Sequence, residues 1–466
     1  MKKIKLRGKE LQRIGYTNHR AIALAINLVT KHCKRADKVE ILELLEKINH
    51  NPEKYADEPV FGELAKMLTQ KTTRPKKNKK IVWNKKVDFK IFGEDYIDPA
   101  AIDQMNTAMK LPISVKGALM ADAHVGYGLP IGGVLATYNA VIPYGVGMDI
   151  GCRMCLSVFP MSPKRIKGEH NRIKNILLNE TRFGLAEFKD LSEHEILERK
   201  EFNEIKFLKS LQSKFARQLG TSGHGNHFVD VGVVEFDEFA EEVNLQPGKY
   251  FAVLTHSGSR NFGAEVCKHY TNIAKQKLEL SGEAASLAWL DLDSEEGQEY
   301  WAAMQLAGDY SHANHRIIHN RMAKAFGEKP LTIIENHHNF AWKEKLAEGE
   351  ELIIHRKGAT PASVGDVGII PGTMASPAYI VRGKGNEASL QSASHGAGRL
   401  MSRNKAKATF TESELKKYLR EQDVELMGGG TDESPQAYKD IREVMRYQKD
   451  LVNILGVFYP KIVRME

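Results

Sequence analysis

The 466-residue sequence predicts an α+β protein, built as one large layered domain with a small helical appendage before it. Residues 17–69 carry apolar side chains near helical spacing, which predicts helices throughout that segment. From Val87 onward, glycine-rich and β-leaning blocks are separated by helical insertions, a pattern typical of a single α+β domain. We therefore expect three parts: the helical appendage over residues 1–70, a linker over 71–86 and the large domain over 87–466.

Three helices are expected in the appendage. The first lies in "TNHRAIALAINLVTKHCKR", with Asn18 as its N-cap, and the second lies in "ADKVEILELLEKINH", with Asp37 in the same role. The third occupies residues 58–68. A helical piece of this size is more often a structural or docking segment than a catalytic one.

The linker is strongly basic. Residues 71–86, "KTTRPKKNKKIVWNKK", carry eight basic and no acidic residues, which equals the net charge of +8 for the whole chain. Such a run is typical of a solvated linker, here with Pro75 inside it. It also suits phosphate contacts, because each neutralised phosphate releases counterions. Composition therefore leaves both a linker and a nucleic-acid contact open.

Composition argues against two classes of protein. No run of about 18 apolar residues is present, so we expect no membrane-spanning segment. Four cysteines are too few for a disulfide scaffold of this length. The first residues, "MKKIKLRGKELQRIGY", lack the apolar stretch and the small-residue cleavage site of a signal peptide. We expect a cytoplasmic protein.

The large domain alternates strand-like and helical blocks. Its β-leaning, glycine-rich blocks lie at residues 121–152, 250–263 and 352–383. Its helical insertions are predicted at residues 163–179, 190–218 and 261–282. No block repeats at a fixed period, so the blocks are expected to form one domain.

The stretch "GMDIGCRMCL" indicates a metal site. Cys152 and Cys155 form a C-x-x-C pair, which alone fits a redox pair, half of a zinc site or buried free thiols. Asp149 adds a carboxylate to the same bend, although aspartate is also a common turn residue. Histidines at the edges of strand-like runs extend the set: His227, His256, His337 and His338. A mixed carboxylate, thiolate and imidazole set suits a catalytic Mn, Zn or Fe site.

The stretch "QSASHGAGRL" isolates one imidazole among small residues. His395 stands beside Gly396 and close to Gly398, and Arg399 follows. A histidine in this setting suits a turn residue, a metal ligand, a proton carrier or a nucleophile. The local sequence leaves these four roles open.

Seven ordered motifs resemble the RtcB family of GTP-dependent RNA ligases. In chain order they are "ADAHVGYGLPIGG", "GVGMDIGC", "GNHF", "HSGSR", "HHN", "HRKGAT" and "SHGAGRLMSR". The resemblance extends from about Val87 to the C-terminus and leaves residues 1–80 outside it. So many motifs in one order make it highly specific.

The resemblance implies a fold, cofactors and a nucleophile. It implies a β-sandwich-like core within the α+β domain, and GTP and two manganese ions as cofactors. His395 would attack the α-phosphate of GTP, release pyrophosphate and carry GMP. The manganese ligands, with the thiolate bridging, would be Asp149, Cys152, His227, His256 and His338.

Further positions match catalytic and guanylate-binding residues of the family. The resemblance assigns catalysis to Asp122, Arg260 and Arg399 alongside His395, since arginines suit phosphate and the aspartate matches a position needed for activity. Such arginines are also common in surface ion pairs. The guanylate would contact Asn226, Asp230, Thr373, Ala378, His395, Gly396, Ala397, Gly398 and Tyr438.

The chain departs from the family around the guanylate. Asp230 stands where the family usually has glutamate, Thr373 and Ala378 stand where it has serines, and His224 stands where it has Gly or Ala. Met465 replaces a C-terminal lysine that reaches the guanine, which removes a charge-assisted hydrogen bond of about 1.5–3 kcal/mol. These changes predict a divergent ligase with weaker or less selective GTP binding, because the metal ligands and the nucleophile are kept.

The implied activity is the joining of RNA ends in tRNA splicing or RNA repair. An RNA 3′-phosphate, or a 2′,3′-cyclic phosphate opened to one, would attack the GMP-histidine, and a 5′-hydroxyl would then displace GMP. Expected partners are cleaved tRNA or rRNA ends, GTP and an accessory activator protein, with the chain a monomer or weak oligomer. Two other functions stay open: a metal-dependent phosphoesterase that opens cyclic phosphates without joining, and a non-catalytic RNA-binding protein.

Overall fold

The computed structural model describes residues 6, 8–16, 19–33, 36–69, 81–85, 88–188, 194–346 and 349–466. The chain divides into two compact units, Met1–Lys80 and Ile81–Glu466. Every described strand belongs to the second unit, and the first is helical. Asn18 and most of the expected linker (71–80 and 86) lie outside the described residues.

The helices are short in most of the chain. In order they are α1 (Gly8–Arg13), α2 (His19–His32), α3 (Lys38–His50), α4 (Gly62–Thr69), α5 (Pro99–Met109), α6 (Pro143–Val146), α7 (Arg165–Gly168), α8 (His170–Glu180), α9 (Glu201–Glu204), α10 (Lys206–Lys209), α11 (Gln212–Gln218), α12 (Asn261–Lys277), α13 (Glu295–Phe326), α14 (Arg403–Thr409), α15 (Glu412–Glu421) and α16 (Ile441–Arg446). Short 3₁₀ turns lie at Pro52–Tyr55, Glu94–Tyr96, Glu195–Glu198, Glu241–Val243, Gly282–Leu287, Glu387–Ser389, Thr431–Glu433 and Pro435–Ala437.

The described strands carry the fold of the second unit. They are β1 (Lys90–Ile91), β2 (Ser114–His124), β3 (Ile131–Thr137), β4 (Ala140–Val141), β5 (Arg153–Phe159), β6 (Phe228–Phe236), β7 (Gly248–Ser257), β8 (Leu290–Asp291), β9 (Thr332–His337), β10 (Asn339–Lys345), β11 (Glu351–Lys357), β12 (Ala359–Pro361), β13 (Val367–Ile370), β14 (Ala378–Gly383), β15 (Ser392–Ser394), β16 (Glu425–Met427) and β17 (Val452–Arg464).

In the described part of the first unit, four helices enclose one apolar core. α3 is capped as expected at Asp37, whose carboxylate accepts hydrogen bonds from the backbone N–H groups of Val39 (2.7 Å) and Glu40 (3.4 Å). The third expected helix begins at Gly62, four residues later than expected, and α1 precedes the segment expected to be helical. Core side chains include Leu11, Ala21, Ala25, Val29, Ile41, Leu45, Ile48, Leu64 and Ala65.

Two large sheets, with the small pairs β12-β15 and β4-β8, form the described part of the second unit and confirm the α+β prediction. A five-stranded sheet has the order β1-β2-β3-β11-β10, and an eight-stranded sheet has the order β13-β14-β17-β6-β7-β5-β9, with β16 paired to β17. Both sheets contribute to one hydrophobic cluster, which gives the sandwich-like core. Its members from the first sheet include Ala118, Val134 and Ile354, and those from the second include Ile370, Val381 and Val452.

The longest helix, α13, was not among the predicted insertions. It begins at Ser294, whose hydroxyl accepts from the N–H of Gly297 (3.1 Å), and ends at Gly327 with φ +75°, a conformation that glycine adopts freely. It packs on α12, β5 and β7. Two expected insertions appear as α7–α8 and α12, whereas the described part of 190–218 holds several short helices.

No helix in the part of the chain that the structure describes is long and apolar enough to cross a lipid bilayer.

An aromatic cluster anchors α12 to its neighbours and predicts a large stability effect. Phe262 is fully buried and lies 4.4 Å, centroid to centroid, from Phe215 and 5.4 Å from Tyr310. We expect Phe262→Ala to lower the free energy of unfolding by about 3–5 kcal/mol, because it leaves a cavity. Guanidinium unfolding measures this. Phe239→Ala, at a half-exposed position, is the matched control. Equal loss in both variants would contradict the packing.

Candidate active site and metal centre

The proposed metal ligands meet where four neighbouring strands begin or end. Asp149 and Cys152 lie in the bend before β5, His227 immediately precedes β6, His256 lies near the end of β7, and His338 immediately follows β9. These strands are adjacent in the order β6-β7-β5-β9. Antiparallel neighbours place alternate starts and ends at one edge, so the five side chains converge although 189 positions separate the first from the last.

The five ligand residues form two overlapping groups that share one thiol. The first comprises Asp149, Cys152 and His227, and the second comprises Cys152, His256 and His338. The Cys152 Sγ lies 3.2 Å from His256 Nε2 and 3.5 Å from His227 Nε2. His227 Nε2 lies 3.1 Å from Asp149 Oδ2, and the Nε2 atoms of His256 and His338 are 3.3 Å apart.

One hydrogen bond of His256 leaves the lone pair of its other ring nitrogen pointing into the cluster. His256 Nδ1 donates to the backbone carbonyl of Asn226 (2.9 Å), so its Nε2 is unprotonated and faces a sulfur and another imidazole nitrogen. The Cys152 sulfur and the His338 Nε2 lie beside this nitrogen, and a divalent cation prefers such a combination of donors. The arrangement therefore fits two metal ions with Cys152 between them.

The electrostatics of the cluster also fit a cation. Burial and the charge of Asp149 raise the pKa of the Cys152 thiol well above its usual value. Burial lowers the pKa of His256 to about 3, so this imidazole is neutral. Burial alone would raise the pKa of the Asp149 carboxyl, but the hydrogen bonds and charges of His227, Cys152 and His256 together outweigh it and lower the pKa. A cation binding here would displace the thiol proton.

Two glycines make room for these ligands. A Cβ on Gly258 would lie 2.1 Å from Asp149 Oδ2, and a Cβ on Gly223 would lie 2.0 Å from His227 Nδ1. Side chains at either position would push a ligand out of the cluster. The glycine richness of these bends is therefore a requirement of close approach.

His395 is held by a buried carboxylate. Its Nδ1 lies 2.7 Å from Asp122 Oδ2, which also accepts from the backbone N–H groups of His395 (3.1 Å) and Gly396 (3.3 Å). Burial alone would raise the pKa of Asp122, but the hydrogen bond and charge of His395 and the charge of Lys439 outweigh it and lower the pKa. The carboxylate thus keeps the proton on Nδ1 and leaves the Nε2 lone pair free.

Glycines around His395 allow its close contact with Asp122. Gly398 has φ +75°, and a Cβ there would lie 2.1 Å from the backbone oxygen of Asp122. A Cβ on Gly358 would lie 3.1 Å from the Cε1 of His395. The imidazole centroid lies 4.9 Å from that of the candidate metal ligand His338, so His395 adjoins the candidate metal cluster.

A cavity of about 1120 Å³ opens beside His395 and reaches the metal cluster at His256. Its volume suits a nucleotide-sized ligand. The predicted residues that line it are Asn226, Thr373, His395, Gly396, Ala397, Gly398, Arg399 and Tyr438, with His124, Arg403 and Met465 in the same wall. Besides Asp122, which holds His395 through a hydrogen bond, three predicted catalytic or guanylate-binding residues do not line the cavity: Asp230, Ala378 and Arg260.

Those three residues have other surroundings. Asp230 is buried in β6, where burial raises its pKa well above the usual value, and Ala378 is buried in β14. Arg260 has φ +58°, and its guanidinium donates to Thr221 Oγ1 (3.0 Å) and to the backbone oxygen of Gly184 (2.6 Å). The preceding residue, Ser259, donates its backbone N–H to Asp149 Oδ1 (3.0 Å), so Arg260 follows directly on the candidate metal cluster.

One acidic residue that the sequence analysis did not identify organises the wall. The carboxylate of Glu433, 4% exposed, accepts hydrogen bonds from Tyr438 Oη and from Arg399 (3.2 Å), and it forms an ion pair with Arg403 Nε at 3.1 Å. Arg399 also lies over the Tyr438 ring at 4.7 Å. Glu433 lies in "DESPQAYKDI", five residues before Tyr438, and this motif was the sequence signal that could have identified it.

A buried lysine was also missed. Lys439 Nζ donates to the backbone oxygens of Ala121 (2.9 Å) and Ala123 (2.8 Å), on either side of Asp122. Burial lowers the pKa of Lys439 to about 8, with the charge of Asp122 acting against this. The ammonium supports the strand segment that presents the carboxylate to His395.

The chain matches known proteins over most of its length. The family model described as tRNA-splicing ligase RtcB matches residues 104–206 and 180–465. The RNA-splicing ligase RtcB of Escherichia coli K12 is 30% identical over 389 residues, covering 77% of this chain and 92% of the relative. The tRNA-splicing ligase RtcB of Nanoarchaeum equitans is 30% identical over 424 residues, with coverages of 76% and 88%. The RNA-splicing ligase RtcB of Mycobacterium bovis is 29% identical over 394 residues, with coverages of 70% and 90%.

The close approach at Gly258 gives a test of the metal centre. In Gly258→Ala the new methyl group must displace the Asp149 carboxylate, so we expect Mn²⁺ affinity to fall about 10–100-fold. Isothermal titration of the metal-depleted protein measures this. Gly168→Ala in α7, where nothing lies within 4 Å of the new carbon, should bind as the unaltered protein does. Equal affinities in the two variants would remove Asp149 from the ligand set.

Proposed function

The chain belongs to the RtcB family, and from this membership and the geometry of the site we propose that it is a GTP- and manganese-dependent RNA ligase. It joins RNA ends that carry a 3′-phosphate or a 2′,3′-cyclic phosphate to ends that carry a 5′-hydroxyl. The observation that carries the proposal is the Asp122–His395 pair beside a shared-thiol metal cluster and a nucleotide-sized cavity.

His395 is the nucleophile of the proposed reaction. Asp122 holds the proton on Nδ1, so Nε2 offers a lone pair to the α-phosphorus of GTP. The Nε2–P bond forms while the bond to pyrophosphate breaks, and GMP remains on the imidazole. The buried carboxylate also stabilises the positive charge that the ring gains in this step.

The metal ligands divide between two ions. Asp149, Cys152 and His227 would hold one Mn²⁺, and Cys152, His256 and His338 would hold the other. Two ions at such a site supply charge withdrawal from phosphate oxygens and align an in-line displacement.

The cavity wall supplies the guanylate contacts. Asn226, Thr373 and the backbone of Gly396, Ala397 and Gly398 offer polar groups, while Tyr438 offers a ring face. Arg399 and Arg403 are drawn to phosphate oxygens, with Glu433 as the partner that orients them in the free protein. Asp230 and Ala378 shape the wall from behind, and Arg260 supports the metal side of the site near His227.

The later steps use the same groups. The RNA 3′-phosphate attacks the GMP phosphorus, which frees His395 and leaves an RNA 3′-end activated with GMP. The 5′-hydroxyl of the second RNA then attacks that end and releases GMP. We propose that this occurs in the cytoplasm on cleaved tRNA or rRNA, by a monomer or weak oligomer that works with an accessory activator.

The organisation of the chain fits this use. Residues 87–466 form the proposed catalytic domain, which leaves 1–70 as an appendage and 71–86 as a basic linker. The appendage is proposed to direct the catalytic domain to a particular RNA, because eight basic residues in the linker suit contacts with phosphates.

The first test is covalent labelling of His395. Protein with Mn²⁺ and α-labelled GTP should retain label that is stable to alkali and released by acid, whereas γ-labelled GTP should leave none. His395→Ala should retain no label from either. The same protein should join RNA with a 3′-phosphate to RNA with a 5′-hydroxyl. Opening of a cyclic phosphate without label would instead indicate a phosphoesterase, and RNA binding with neither reaction would indicate a binding protein.

The buried carboxylate gives a second prediction. In Asp122→Asn the amide N–H₂ would face Nδ1 and move the proton of His395 to Nε2, which blocks attack. We expect the rate of His395 labelling to fall about 10²–10⁴-fold, with metal content unchanged. Rapid-quench labelling measures it. Asp103→Asn, at an exposed position on α5, is the control. An unchanged rate in Asp122→Asn would exclude the proposed orientation of the imidazole.

A further inference from the structure

A second cluster of metal-binding residue types lies behind the candidate active site. Cys155, His315 and His319 are each 0–1% exposed, and one ligand atom from each lies within 4.8 Å of the others. None of the three takes part in the proposed ligase reaction. They form a buried polar patch between α13, which carries both histidines, and β5, which carries Cys155.

The pleat of the sheet separates this cluster from the catalytic one. Thr255 and His256 are consecutive in β7, so their side chains point to opposite faces of the sheet. Cys155 pairs with Thr255 across β5 and β7, and with Glu335 across β5 and β9. Directly paired residues share a face, so Thr255, Cys155 and Glu335 form one row on the side that α13 covers.

α13 presents its histidines to that row. His315 and His319 are four residues apart, which places both on one helix face, and their rings are nearly parallel with centroids 6.4 Å apart. Thr255 Oγ1 lies 2.9 Å from His315 Nδ1 and 2.8 Å from His319 Nε2. The other ring nitrogen of His319, Nδ1, lies 2.7 Å from Ser157 Oγ, which orients that ring.

We propose that Cys155, His315 and His319 bind a structural zinc ion between the eight-stranded sheet and α13, with Thr255 Oγ1 as the fourth donor. One thiolate and two imidazoles in a dry, four-donor setting are the ligands that zinc prefers. The thiol proton leaves to solvent when the ion binds, so the site carries one net positive charge.

A neighbouring carboxylate offsets that charge. Glu335, opposite Cys155, is oriented by His312 Nδ1 (2.8 Å) and by Arg153 (3.4 Å). Glu335 lies beside the cluster but is not one of its proposed donors, so it would act on the bound ion through its charge.

The ion fixes the helix that supports the catalytic bends. Ser311 of α13 donates to the backbone oxygen of Gly151, next to Cys152, at 2.7 Å. Asn314 accepts from the backbone N–H groups of Gly220 (2.7 Å) and Thr221 (3.1 Å), in the segment leading to His227. Zinc holding His315 and His319 to β5 and β7 would lock these contacts. The inference does not depend on the ligase activity.

Metal analysis of a variant without the catalytic thiol tests the site. Cys152→Ala removes the ligand that both catalytic groups share, so its ions are lost on dialysis against a chelator. We expect Cys152→Ala grown with zinc to retain about one zinc per chain by mass spectrometry. The zinc X-ray absorption spectrum should show one sulfur and a remainder of nitrogen and oxygen neighbours. Cys152→Ala that is folded by circular dichroism but holds no zinc would overturn the proposal.

A second variant assigns the retained ion. Cys152→Ala/Cys155→Ser should lose the zinc, while Cys152→Ala/Cys267→Ser should keep it. Cys267 is an equally buried thiol on α12 whose contacts are Pro143 and Thr271 rather than histidine. If Cys155→Ser prevents folding, the sulfur signal in Cys152→Ala alone decides. Zinc with only nitrogen and oxygen neighbours there would exclude Cys155 as a ligand.

Discussion

The hydrogen-bonded register of β6, β7, β5 and β9 is the constraint on which both polar clusters depend. His256 lies opposite Phe228 in β6 and opposite Met154 in β5. Because side chains alternate between faces, a slip of one residue would exchange His256 with Thr255 and empty both clusters at once. The same backbone bonds therefore set the distance from Cys152 to His256 on one face and from Thr255 to the helix histidines on the other.

The buried acids show how the fold keeps charge inside. Asp122 is fully buried, yet its Oδ2 accepts from one imidazole and two backbone N–H groups, and Lys439 lies behind it. Glu433 is satisfied by two arginines and a tyrosine. A buried carboxylate is tolerated only with such partners, so each acid fixes the side chains around it. The orientation of His395 follows from the burial of Asp122.

Local sequence patterns predicted several helices and the residues of the first cluster, but they could not predict contacts that depend on the tertiary fold. Helical spacing and Asp37 identified α3, and glycine-rich motifs identified the residues that meet at the metal cluster. The roles of those residues came from the family resemblance, because spacing alone left four roles open for His395. The Cys155–His315–His319 cluster joins positions 160 residues apart through sheet parity and helix packing, which no local pattern encodes. Asp230 and Ala378 matched the guanylate set, yet both are buried in their strands and neither lines the cavity.

Two departures from the family pattern, Met465 and His224, lie where the fold permits change. Met465 lines the cavity at the end of the chain, and the last residue, Glu466, pairs with His224 at 2.9 Å. Met465 lies at the C-terminal end and His224 lies in a loop, so neither belongs to β5 or β7. Substitutions there alter the cavity rim without touching the Asp122–His395 hydrogen bond, whose carboxylate lies in β2. A change at Cys152 or Gly398 would disturb buried partners on several strands. The cavity rim is thus free to diverge while the Asp122–His395 pair and the cluster of Asp149, Cys152 and histidines stay in place.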